Sequence, residues 1–250
     1  MTYLPYLLTA LAFLAAGVVN TVAGGGSFLT FPALLMAGLD PRAANITSTM
    51  ALFPMQINAG YLGRKHISGI HGLSVTHLVF ISLCGGTVGA ILLLLTPIDF
   101  FARLVPWLVL FATAVFTYGS FHKKNDNPDY IHPISRKKLI ISQLVIATYG
   151  GYFGAGIGIL MLSALTLAGM KLKIASMTKN VLAAAINTSA FIIFTLSHDV
   201  DWSLAVLGAV SSIGGSFIGM RILHKVSDKV LRVVVIGIGI TLSIALFMRQ

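Results

Sequence analysis

The chain has 250 residues, 56% of them hydrophobic and 10% charged, with a mean hydropathy of +0.91. A water-soluble domain carries about 25% charged residues, so this composition excludes a globule covered by water and makes lipid the solvent. The net charge of +10 does not point to nucleic acid, because the basic residues lie between apolar stretches rather than on one face.

Crossing about 30 Å of hydrocarbon takes about 20 mostly apolar residues. Leu4 to Val22 is long enough, and MTYLPY has no positive n-region, so it reads as a retained segment rather than a signal peptide. AGGGS joins it to a short apolar piece, Phe28 to Ala37, after which a more polar helix follows Pro41. Leu73 to Leu95 and Phe101 to Phe121 are further spans. His122 to Lys138 is the one long hydrophilic segment and reads as a linker. Beyond it come Leu139 to Tyr149, the run GGYFGAG, and a second short piece, Ile157 to Ala168. Ile174 to Leu196, Trp202 to Met220 and Val230 to Met248 complete the spans. Cys84 lies inside an apolar span, so the sequence offers neither a disulfide framework nor a Cys-rich metal site.

Displaced by 131 positions, the sequence begins to match itself: Gly38 falls on Gly169, and ANITST from Ala44 falls on ASMTKN from Ala175. The run Gly24 to Gly26 falls beside Gly154 to Gly158, and GGTVGA at Gly85 faces GGSFIG at Gly214 after a small gap. Each half then has two joined apolar pieces, which either span or re-enter the membrane, followed by three longer spans. An odd number of sides changed per half points the halves in opposite directions. On that count one side receives Arg64, Lys65, the linker cations, Lys171, Lys173 and the basic residues from Arg221 to Arg232, which is 13 of the 17 Lys and Arg. Basic loops stay cytoplasmic. The expected fold is therefore an all-α membrane protein of two inverted-topology repeats, each a short Gly-interrupted helix pair followed by three transmembrane helices. Residues 1–121 form the first repeat, 122–138 a cytoplasmic linker and 139–250 the second repeat, with both termini outside a cell (inner) membrane.

The seven acids are all Asp, placed in expected loops or at span ends. Carboxylates inside the membrane mark proton relays and cation pathways; without them the substrate is expected to be an anion rather than a metal or polyamine. On a helix, Asn45, Thr49 and Gln56 fall within about 40° of one another, and their partners at the offset, Ser176, Asn180 and Asn187, do the same. Two such stripes suggest facing walls of one cavity, whose amides and hydroxyls suit sulfonate or carboxylate oxygens; interhelical hydrogen bonds that glue helices are the plain alternative. Gly24, Gly25, Gly26 and Ser27 in one half, with Gly154, Gly156 and Gly158 in the other, open short helices whose N-termini offer N–H groups to an anion. Close helix packing is the alternative for such glycines. Lys179 is the one cation inside the start of a span; it either balances a bound anion or snorkels to the interface. His66, His71 and His77 are spaced five and six apart and share no helix face, so no metal site is expected. No Walker A sequence is present, and no cofactor is expected.

The segment from Asn20 to Arg64, NTVAGGGSFLTFPALLMAGLDPRAANITSTMALFPMQINAGYLGR, resembles the TauE/SafE family of membrane transporters. That family shows a Gly-rich run, an apolar stretch with a Pro, a G-[LM]-x-P-x-x-A turn and then a polar helix, matched here by Gly24 to Gly26, Pro32, Gly38, Pro41 and Ala44. The second turn departs from it, with Met170, Lys171 and Leu172 and no Pro. The resemblance implies transport of sulfite, sulfonates or related organic anions, without specifying which.

The expected function is a secondary transporter of small anions working by alternating access at a midplane site, with protons or sodium as coupling ion and the bilayer as surroundings. An anion channel would use the same residues without saturating exchange. A membrane-embedded enzyme is a further alternative, weakened by the lack of an acid–base or nucleophile constellation. A scaffold subunit is the last.

Overall fold

The computed structural model describes residues 4–22, 25–63, 67–121, 135–222 and 228–248. They form ten helices: α1 Leu4–Val22, α2 Ser27–Met36, α3 Pro41–Gly63, α4 Val75–Leu95, α5 Ile98–Phe121, α6 Arg136–Tyr152, α7 Ile157–Leu167, α8 Leu172–Thr195, α9 Trp202–Ile222 and α10 Asp228–Phe247. Among the described residues there is no strand, only one isolated bridge between Ile70 and Leu73. Five helices, α1, α4, α5, α8 and α9, are long and apolar enough to cross a membrane. Large apolar side chains such as Trp107, Phe80 and Val210 stand on the outside, as expected of a surface that meets lipid.

The helix ends follow from local chemistry. Asp40 caps α3, its Oδ1 accepting from the N–H groups of Arg42 (2.9 Å) and Ala43 (3.1 Å), and Pro41 takes the first helical position, where no N–H is needed. Asp201 caps α9 in the same way, accepting from Leu204 N–H at 2.9 Å. The two short helices end in the same turn. Gly38 and Gly169 adopt φ of +100° and +94°, and Leu39 and Met170 return N–H bonds to Leu34 and Leu165, which is the Schellman arrangement. The missing Pro in the second turn changes little, since α8 starts at Leu172 with Lys171 as its uncapped neighbour.

Two boundaries differ from the sequence reading. The linker expected over 122–138 is already helical from Arg136, because Ser135 caps α6 by accepting from Lys138 N–H. The run GGYFGAG was expected to begin a loop, yet α6 continues through Gly150 and Gly151 to Tyr152. Those two glycines are buried; Gly151 lies against the backbone carbonyl of Gly86, and a side chain would not fit there. Their role is close packing.

The halves are interleaved. Helix α1 packs along α9, and α6 packs along α4. Gly17 and Gly215 bring the first pair together at backbone distance, and Gly85, Gly89 and Gly151 do so for the second. Helices α3 and α8 run antiparallel along one another. Arg42 reaches Asp199 at one end, Gln56 bonds Asn187 midway, and Gly60 lies against Val181 and Ala184 further on. Helices α5 and α10 are antiparallel too, with Trp107 against Phe247 and Thr113 against Gly239.

Candidate functional site

Both short helices begin at a glycine loop pinned to the preceding helix. In the first half the amide side chain of Asn20 accepts from Gly26 N–H at 2.7 Å; Gly25 holds φ of +95°. Gly24 lies outside the described residues. In the second half the hydroxyl of Tyr149 donates to the carbonyl of Ala155 at 2.9 Å, and Gly154 and Gly156 both take φ of +77°. That left-handed conformation at Gly156, immediately before α7, is one that only glycine adopts cheaply.

The N-terminus of α2 opens into a polar cavity. Ser27, Asn45, Ser48 and Thr49 line it, together with Phe28, Phe31, Val109, Phe153, Ala155 and Leu242. Helices α2, α3 and α5 supply one part of this wall; the α6–α7 turn and α10 supply the other, so the cavity is built from both halves. In this conformation the space open to the centres of water-sized molecules is about 10 Å³, enough for about one water. The site is therefore narrow.

Several polar groups of this wall hold one another. Asn45 is 5% exposed, and its Nδ2 donates to the carbonyl of Tyr152 at 3.0 Å. Thr49 donates to the carbonyl of Asn45 at 3.0 Å, and Ser48 shares a 2.6 Å hydrogen bond with Thr30. Among the described residues, no carboxylate or cation is part of the lining. Hydroxyls, an amide and a helix N-terminus can donate to an anion's oxygens without the desolvation cost of a full ion pair.

The other expected site residues are distributed differently. Gln56 and Asn187 do not line the cavity; they hydrogen-bond to each other across the α3–α8 interface. Ser176 and Asn180 are half-buried on α8, outside the cavity lining. Lys179 does not snorkel. It is 8% exposed, and a methyl group built on Gly158 would stand 3.5 Å from its Nζ. Ser48 was missed by the sequence reading, although it precedes Thr49 and lies one turn from Asn45. Phe31, Val109, Phe153 and Leu242 were missed because apolar walls carry no signal apart from the core.

A second polar cluster joins the start of α3 to two turns. Arg42 donates to Asp199 Oδ1 at 3.0 Å and to the carbonyl of Thr96 at 3.2 Å, and Thr96 Oγ1 lies 3.3 Å from the hydroxyl of Tyr152. The main-chain carbonyl of Tyr152 also receives the amide of Asn45, so Tyr152 and Thr96, each bonded through both main chain and side chain, link the cavity wall to the Arg42–Asp199 ion pair.

Apolar helices fit to cross a membrane, packed about a small cavity with a partly polar lining, define a polytopic membrane protein. A family model, Sulfite exporter TauE/SafE, matches residues 9–246, and the chain belongs to that family of membrane transporters. It is similar to a probable membrane transporter protein of Haemophilus influenzae, with 27% identity covering 88% of this chain and 86% of the relative. It is also similar to the probable membrane transporter protein ORF9 of a Sinorhizobium species, with 27% identity over 98% and 95% of the two chains. The probable membrane transporter protein YfcA of Escherichia coli K12 is 26% identical over 96% and 89%. No solved structure matches the chain.

Proposed function

We propose that the protein is a secondary transporter of small anions, with sulfite, sulfonates and related organosulfur or carboxylate anions as the substrate class. The carrying observation is the cavity at the N-terminus of α2, lined by donors and free of carboxylates. Asp40, Asp99, Asp199 and Asp201 stand at helix ends or in turns. Residues from both halves share the cavity wall, so relative rocking of the halves opens and closes it; this is alternating access. A carrier rather than a channel is favoured by the narrowness of the cavity, whose free space is about that of one water. Protons or sodium serve as the coupling ion. The test is uptake of labelled sulfite into liposomes by Asn45→Ala, Ser48→Ala and Thr49→Ala variants. Each is expected to lose at least about tenfold in rate at normal expression, and full activity in all three rejects the site.

The repeats are read as inverted, with linker 122–138 on the cytoplasmic side of the inner membrane and both termini outside. Support comes from the antiparallel packing of α3 with α8 and of α5 with α10, helices that occupy matching places in the two halves. If matched helices both cross the bilayer and run antiparallel, their halves have opposite orientation. In a Cys84→Ser background, a membrane-impermeant maleimide is expected to label Asn125→Cys only from the cytoplasmic face and His198→Cys only from the opposite one. Labelling of both from one face contradicts inversion.

A further inference from the structure

We propose that Lys179 and the first turn of α7 form an oxyanion-binding site that supplies the charge recognition lacking in the cavity at α2. This rests on the anion reading above and assigns the charge-reading group within it. The 131-residue offset that relates Gln56 to its partner Asn187 also relates Ser27 to Gly158 and Ser48 to Lys179. Ser27 and Ser48 both line the first cavity. At the matching place in the second half a cation replaces one hydroxyl, and a glycine replaces the other. Lys179 Nζ reaches α7 beside Gly158, 3.5 Å from where a Cβ would stand, which is ordinary van der Waals contact.

The lysine is an isolated charge. It is 8% exposed, and among the described residues it makes no hydrogen bond or ion pair. In the first half Ser48 is held by the hydroxyl of Thr30; the residue matching Thr30 is Met161, which is buried and offers no oxygen. A largely buried ammonium without a counter-charge is unfavourable. Its surroundings make this worse, because Gly158 is the second residue of the 11-residue helix α7, and a helix N-terminus is already electropositive. A cation at the positive end of a helix is stabilised by neither; both are stabilised by the same anion. The ligand is a small oxyanion, with one oxygen on Nζ and another facing the first N–H groups of α7.

The purified full-length protein in detergent tests this by thermal unfolding in sodium sulfite, with sodium chloride holding the ionic strength constant. Wild type is expected to be stabilised saturably by sulfite, and Lys179→Arg to keep the response. Lys179→Met is expected to need at least tenfold more sulfite for the same shift, and without sulfite to melt above wild type, because its uncompensated charge is gone. A purely structural lysine would give the opposite shift. Lys179→Gln is the second neutral variant and is held to the same outcomes. Absence of a sulfite response in wild type, or an equal response in the neutral variants, overturns the site. The two readings fail separately. Uptake with unchanged half-saturation in Lys179→Met removes the lysine's role alone, whereas sulfite stabilisation without uptake removes transport alone.

Discussion

Gln56 and Asn187 occupy matching places in the two halves and spend their amides on each other. The sequence had placed them with Asn45 and Asn180 on polar stripes, and for Asn45 and Thr49 that reading led to the cavity, because residues four apart must share a face. It could not tell which stripe residues face a cavity and which face a partner helix, since that depends on how α3 crosses α8. Lys179 was visible as an oddly placed cation. Its burial was not, because α7, whose Gly158 lies beside its Nζ, is a separate helix. In a double-mutant cycle, Gln56→Ala and Asn187→Ala are expected to show a coupling of about 0.6–1.7 kcal/mol, the range of interhelical hydrogen bonds in membrane proteins. Equilibrium unfolding in mixed detergent measures it, and additive losses would mean that the pair contributes nothing.

At the scale of helices, the glycines divide into two kinds that look alike in sequence. Those at Gly25, Gly154 and Gly156 are needed for backbone conformations with positive φ, and they separate α1 from α2 and α6 from α7. Those at Gly85, Gly89, Gly151 and Gly215 sit inside helices where another backbone passes. The run at Gly150 was read as a break because a glycine pair before a helix start is a common loop signal; the partner α4, which explains it, lies far away in sequence. Adjacent positions give a clean comparison. A Cβ at Gly215 would strike the carbonyl of Leu14, while one at Gly214 meets nothing within 4 Å. Gly215→Ala is therefore expected to lose about 1–3 kcal/mol from overpacking. Gly214→Ala should be neutral or gain up to about 1 kcal/mol from helix propensity. Thermal unfolding of the two variants decides it; equal melting would show that α1 and α9 do not cross this closely.

For the whole molecule, composition and span length were enough to establish a helical membrane protein, because too few charges leave no other solvent. The matching Gly38 and Gly169 turns were legible too, since a helix stop needs only local residues. Interleaving of the halves was not legible: nothing in the sequence of α1 states that α9 is its neighbour. The same holds for the shared cavity wall, assembled from α2, α3, α5, the α6–α7 turn and α10. The most direct measurement is uptake of radiolabelled sulfite by the purified protein in liposomes, with and without an imposed pH gradient. The account predicts saturable uptake that the gradient accelerates. Uptake that stays linear with concentration, or no uptake of sulfite, thiosulfate, sulfoacetate or simple carboxylates, would contradict it.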